Sequence, residues 1–369
     1  MKSDSPGTDP VIERQYYLAW LAIKGVGPQQ LLKIRDHFGS FFVAWTATHD
    51  LDPLWQAWLQ RTKQSRQSID PELYFNKLVA NNPQIVTLLD NEYPARLQNS
   101  YPHPVLYYRG SLDSLNNSAF LSVVGSRQLT NYHHQALRLV MAGLVGHQVV
   151  IVSGLAFGAD ALAHELALEY SLPTIAVLGS AVDDASIYPR SNFSLAQRIL
   201  KSGGLMLSPF AAGSAIDKHN FPLRNTIIAG LSPVTLVACA AQRSGALITA
   251  QLALDVGHEV LTIPGPITDT SSVGTNALLR QGALAITSSE ELLQALNLTT
   301  QNEVTKKSYT TSDPLQHALV TTLTRTPYHY DDLLAQHPTA TPTQVTVALA
   351  QMELQGWIER LPGNVIRLR

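Results

Sequence analysis

The chain contains one cysteine, Cys239, among 369 residues, so no internal disulfide can form and the fold must rest on its core. Cys239 sits in the apolar run 234–241 and reads as a small buried hydrophobe. Nowhere do eighteen apolar residues follow one another, and the first ten residues are polar without a hydrophobic signal core. Neither membrane insertion nor export is indicated, which leaves the cytoplasm as the default. An excess of positive charge is also missing: the net charge is -2, and between residues 115 and 298 nine Lys/Arg stand against eleven Asp/Glu. That excludes a globally basic polyanion binder, so any such site has to come from the local placement of cations. Finally, the loop after the first buried strand has Gly125 alone rather than the three glycines of a dinucleotide fingerprint, which counts against a nicotinamide enzyme.

What is present is enough apolar sequence, 45% of the residues, to bury a sizeable core. Residues 11–79 carry apolar positions at helical spacing, interrupted by Gly25-Val26-Gly27-Pro28. Both a phosphate-holding helix-hairpin-helix and an ordinary helical hairpin fit that helix, turn, helix pattern. A proline-rich stretch with extended character follows, ending in strand-like Val105-Leu106-Tyr107-Tyr108. From residue 119 short apolar runs alternate with helical segments, as in a parallel sheet covered on both faces. Strands are expected at 120–124, 149–152, 174–178, 205–207, 234–239 and 259–263, with helices starting near Tyr132, Gly158, Asn192, Phe221, Gly245 and Gly274. Several strands end in small-residue turns, which should converge on the ligand crevice at the carboxyl edge of the sheet. Residues 299–314 read as a flexible linker. Residues 315–369 read as a winged helix of three helices and a hairpin, whose third helix lacks Lys and Arg. The domains expected are therefore 1–80, helical; 81–298, an extended Rossmann-like core with its leading linker; and 315–369, winged helix.

Four turns carry usable chemistry. Gly125-Ser126-Arg127 combines close backbone approach, a hydroxyl and a guanidinium suited to phosphate. Ser153-Gly154, continuing to Gly158, opens a helix on which Asp160 and His164 share a face, as a buried pair or part of an acid-base or metal site; a structural pair is expected. His133 and His134, adjacent on a helix, are expected at the surface. Tyr188-Pro189-Arg190-Ser191-Asn192 closes an irregular loop. Lys218 to Asn225 places two cations, Phe221 and an amide at a helix start, the mixture that an unpaired strand requires. On composition alone Phe221 could equally belong to the core and Arg224 pair with a carboxylate.

Together with Ala176-Val177-Leu178-Gly179, Ser244-Gly245, Pro264-Gly265-Pro266 and Gly274-Thr275-Asn276, these blocks resemble, in order and spacing, the DprA/Smf (DNA-processing protein A) family across the central domain. The resemblance implies a dimeric cytoplasmic protein, without catalysis, cofactor or metal. It would bind single-stranded DNA and hand it to the RecA recombinase, in natural transformation where the host is competent. The family's DNA-contacting positions fall here on Ser126, Arg127, Ser153, Gly154, Arg190, Lys218, Phe221, Arg224, Asn225 and Ser244-Gly245, to which Gly125 and Asn192 in the same turns are added. The arginines and Lys218 would neutralise phosphates, and Phe221 would help form a pocket for a flipped-out base. The chain departs from the family pattern at Thr226, where a second arginine is usual, and at Cys239 and Pro209, where glutamates are usual. Two other classes remain: a Rossmann-like nucleotide hydrolase, for which no glutamate lies in the crevice turns, and an adaptor with a degenerate core, against which Arg127, Lys218 and Arg224 argue.

Overall fold

Strands β3 (Ala119–Gly125), β4 (Val149–Ser153), β5 (Thr174–Val177), β6 (Leu205–Ser208) and β7 (Val234–Cys239) are runs with almost no exposed position, as strands covered on both faces must be. The computed structural model describes residues 9–81, 84–116, 119–298, 311, 313–323, 328–361 and 365–368. Strands β1 (Ile85–Thr87), β2 (Val105–Gly110), β8 (Glu259–Thr262) and β9 (Leu284–Ala285) complete a nine-stranded sheet in the order β1-β2-β6-β5-β4-β3-β7-β8-β9. All pairings from β6 to β9 are parallel. Alternate residues of β3 serve different cores. Leu121 and Val123 pack with helices Asn131–Ala142 and Ala159–Glu169, whereas Phe120 and Val124 pack with helices Asn220–Leu231 and Gly245–Asp255.

The six expected strands and six helix starts are all found, within a residue or so. The proline-rich stretch ends in a strand as expected, but differs from its reading as a linker in belonging to the main sheet. It supplies β1 and β2, with β2 antiparallel to β6 through Tyr107 opposite Ser208 and Gly110 opposite Leu205. Pro94, Pro102 and Pro104 lie between the two strands and remove no ladder hydrogen bond. After β3 the chain builds β4, β5 and β6 outward on one side, then returns to lay β7 on the other. The carboxyl ends of β3 and β7 therefore flank a topological switch point.

The helical segment comprises Pro10–Leu21, Pro28–Phe38, Phe41–Thr46, Pro53–Ser68 and Pro71–Asn81. Its core is aromatic: Trp20 stacks on Trp58 at 4.7 Å and meets Trp45 edge-on at 4.9 Å. Tyr17 Oη donates to Pro104 O at 2.9 Å and Arg14 Nη2 to Ile85 O at 2.6 Å, which seats this bundle on the β1 and β2 region.

The described residues from 311 onward form a second compact unit. Within it, helices Pro314–Leu323, Tyr330–Gln336 and Pro342–Leu354 carry a small antiparallel sheet of β10 (Tyr328–His329), β11 (Ile358–Leu361) and β12 (Val365–Leu368) in the order β10-β12-β11. This is the expected winged helix with one short strand added. Most of the expected linker, 299–310 and 312, lies outside the described residues, as does the hairpin turn 362–364. Among the described residues no helix is long and apolar enough to cross a membrane.

Candidate nucleic-acid interface

The switch point is open. A cleft of about 470 Å³ lies at the carboxyl ends of β3 and β7, lined among others by Gly125, Ser126, Arg127, Phe221, Arg224, Asn225, Arg243, Ser244 and Gly245. Four separate chain segments meet there because each parallel strand delivers its following turn to the same edge. Ser244 caps helix Gly245–Asp255, its hydroxyl accepting from Ala246 N, and the space around Gly245 is free. The helix therefore presents its amino end to the cleft. Arg127 is exposed, makes no ion pair among the described residues, and holds its guanidinium carbon 5.8 Å from the Phe221 ring centre. Arg243, two residues after Ala241 on the opposite lip, is likewise exposed and without an ion pair among the described residues. Sequence reasoning missed it, although its position directly before the Ser244-Gly245 turn is signal enough.

Phe221 is half-buried and leans on Gly179: a Cβ there would stand 2.8 Å from its ring. Only glycine lets the ring lie flat against the β5 turn. Asn220 Nδ2 donates to Gly179 O at 3.2 Å and fixes the same junction.

Arg224 is placed differently from the expectation that it neutralises phosphate. It is 5% exposed, and its guanidinium donates to Gly154 O, to Val177 O and, at 3.1 Å, to Asn225 Oδ1. Asp160 lies beside it in the cleft floor and accepts the amides of Gly154 and Ala156. Burial holds the Asp160 carboxyl above its ordinary value while Arg224 and those amides pull it back, and burial likewise depresses Arg224. Neither reading of Arg224 describes it in full: the guanidinium is bonded to carbonyl and amide oxygens, and Asp160 acts on it through its charge without a direct ion pair. The expected Asp160 and His164 pair does not form. His164 turns to Thr174 instead, Nδ1 to Oγ1 at 2.8 Å, and burial pushes its pKa down to about 3.

The remaining candidates divide between scaffold and surface. Ser153 is fully buried, its hydroxyl donating to Val123 O at 2.6 Å. Gly154 contributes its carbonyl to Arg224. Asn192 Nδ2 donates to Leu155 O at 2.9 Å and Ala156 O at 3.2 Å, so it braces the turn. Arg190 lies on its own loop, 4.1 Å over Phe193 and donating to Asp184 O, outside the cleft. Lys218 is exposed on the segment leading into helix Asn220–Leu231, also outside the cleft lining. Contrary to expectation, His133 is buried; its Nε2 lies 3.1 Å from Ser272 Oγ, while His134 is exposed. Thr226 offers no cation: its hydroxyl meets His103 Nε2 at 2.8 Å. Cys239 is buried, its sulfur accepting from Ser126 N at 3.3 Å, and burial raises the thiol to about 11.

Such a doubly wound sheet, with two unpaired arginines, a ring and a helix amino end at its switch point, defines a Rossmann-like protein suited to anionic ligands that also carry flat rings. A family model described as DNA recombination-mediator protein A matches residues 84–297, and one described as the DprA winged helix domain matches residues 303–364. The chain belongs to the DprA/Smf family. It is 36% identical over 314 residues to Protein Smf of Escherichia coli, covering 82% of each chain, and 41% identical over 208 residues to DNA processing protein DprA of Streptococcus pneumoniae, covering 56% of this chain and 72% of that one. The X-ray structure of the S. pneumoniae protein superposes with a TM-score of 0.64 at 32% identity, over 77% of this chain and 99% of that one. DNA processing protein A from Helicobacter pylori, whose structure concerns a single-stranded DNA binding mode, gives 0.52 at 30% identity, over 58% and 96%.

Proposed function

We propose that this protein binds single-stranded DNA in the switch-point cleft and delivers it to the RecA recombinase, as a cytoplasmic homodimer acting in DNA uptake and recombination. The observation carrying the first half is the meeting of Arg127, Arg243, Phe221 and the Gly245 helix end around one cleft. Phosphates need cations and amides, and an unpaired base needs a flat face; the cleft supplies both, with Lys218 extending the cationic path outside it. Family membership and the H. pylori relative's single-strand binding support the same assignment. Delivery to RecA is supported by the family's description as recombination mediators.

We read the cleft as a binding site rather than a catalytic one. Its carboxylate, Asp160, already accepts two backbone amides in the field of Arg224, and the thiol behind Ser126, Cys239, is buried and protonated at neutral pH. A filter-binding comparison of oligo-dT with duplex of matched length, at two salt concentrations and beside a nucleotide-hydrolysis assay, tests the reading. Oligo-dT should bind more tightly, with an affinity that falls by about 0.7 in log-log slope per phosphate neutralised. Preference for duplex, or turnover of a nucleotide, would overturn it.

A further inference from the structure

Just outside the cleft rim stand two large rings that the proposed strand path leaves unused. Tyr188 is 44% exposed, and its ring centre lies 6.1 Å from that of Phe221 with the planes tilted by 56°. Its hydroxyl has no hydrogen-bond partner among the described residues. Phe157, also 44% exposed, belongs to the neighbouring turn. That turn is tied to both sides of the site. Asn192 bonds it to the Tyr188 loop through the carbonyls of Leu155 and Ala156, and Ala159 N donates to Ser126 O at 3.1 Å beside Arg127. Tyr188 beside Phe221, and Phe157 one residue past the Ala156 carbonyl that Asn192 holds, are rings left half in water; they contribute little to the core but offer apolar faces to a flat ligand.

We propose that Tyr188 and Phe157 form a second base-stacking station, so that a strand leaving the cleft over Phe221 lays its next bases on these rings. The proposal rests on the single-strand reading of the cleft. Continuity favours a nucleic acid over any other occupant: Phe221 borders both places, and the spacing of Tyr188 from Phe221 suits neighbouring bases of an unstacked strand. Stacking is sequence-tolerant, so the station would lengthen the footprint without adding base preference.

The test titrates the full chain and its Phe157→Ala, Tyr188→Ala, Tyr188→Phe and Phe221→Ala variants with labelled oligo-dT of about four and about twelve nucleotides. Tyr188→Ala and Phe157→Ala should each weaken the longer oligonucleotide by about five-fold or more, spare the shorter one, and leave the salt slope unchanged. Tyr188→Phe should bind both as the parent does. If both alanine variants bind the longer strand like the parent while Phe221→Ala is impaired, the second station does not exist and the cleft assignment survives. Equal losses on both lengths would also overturn it, because a disturbed cleft then accounts for them. Should Phe221→Ala also bind like the parent, the cleft assignment fails with it.

Discussion

Replacing Arg224 by methionine separates a structural cation from a ligand-binding one. The side chain is buried, and its loss leaves Gly154 O, Val177 O and Asn225 Oδ1 without their donor and Asp160 without its counter-charge. Leaving three buried acceptors without this donor and a buried carboxyl without a neighbouring cation costs roughly 3–5 kcal/mol. For a core of this size about 2–4 °C of melting temperature goes with each kcal/mol, so Arg224→Met should melt roughly 6–20 °C below the parent. The deficit has a pH signature. With the guanidinium gone, burial raises the Asp160 carboxyl further above its unfolded value, so its share of stability is present in acid and lost as pH rises through the folded value. The gap to the parent should therefore be smaller near pH ~4 than near pH ~7. Adding Asp160→Asn should recover part of the loss. The assay is thermal unfolding followed by circular dichroism at both pH values, beside oligo-dT titrations in two salts. A variant that melts like the parent yet loses DNA affinity with a shallower salt slope would refute this placement and make Arg224 a phosphate ligand.

Three other outcomes follow from the structure. Alanine at Arg127, Arg243 or Lys218, all exposed, should weaken oligo-dT binding and reduce the salt slope by about 0.7 for each phosphate left without its cation, with unchanged melting; unaltered affinity and slope remove that residue from the footprint. His103 and His164 have folded values pushed down by burial to about 4 and about 3, so the unfolded chain takes up protons first. Stability should fall as pH drops below the ordinary value of 6.5, by roughly 2 kcal/mol for each histidine near pH ~5. Urea titrations check this, and equal midpoints at pH ~7 and ~5 would contradict it. Gly110→Ala should destabilise by about 2 kcal/mol or more, because φ there is +103° and the added Cβ would meet Gly204 O at 2.1 Å. An unchanged urea midpoint would show that the β2 to β6 pairing yields at little cost.

The sequence by itself determined the layered α/β core, because strands covered on both faces must be apolar throughout and their turns must carry small residues. It also marked the Arg127 and Phe221 turns, whose chemistry is local. Which neighbours those turns meet was decided only by the tertiary structure. Lys218, Arg224 and Arg190 look alike in the chain: one stands in water, one is bonded in the cleft floor to carbonyls contributed by distant strands, and one is folded back on its own loop. Asp160 and His164 have helical spacing for a pair, yet each finds a partner outside the helix, in Arg224 and Thr174. Residues 105–108 read as strand-like on their own, but that β2 would join the main sheet through β6, and that 85–87 would pair with β2, lies in the neighbours and not in these residues. Periodicity records which face of an element is buried; it does not record what lies against that face. Pairings between elements far apart in the chain depend on strand order and crossover direction, which the folded chain alone supplies.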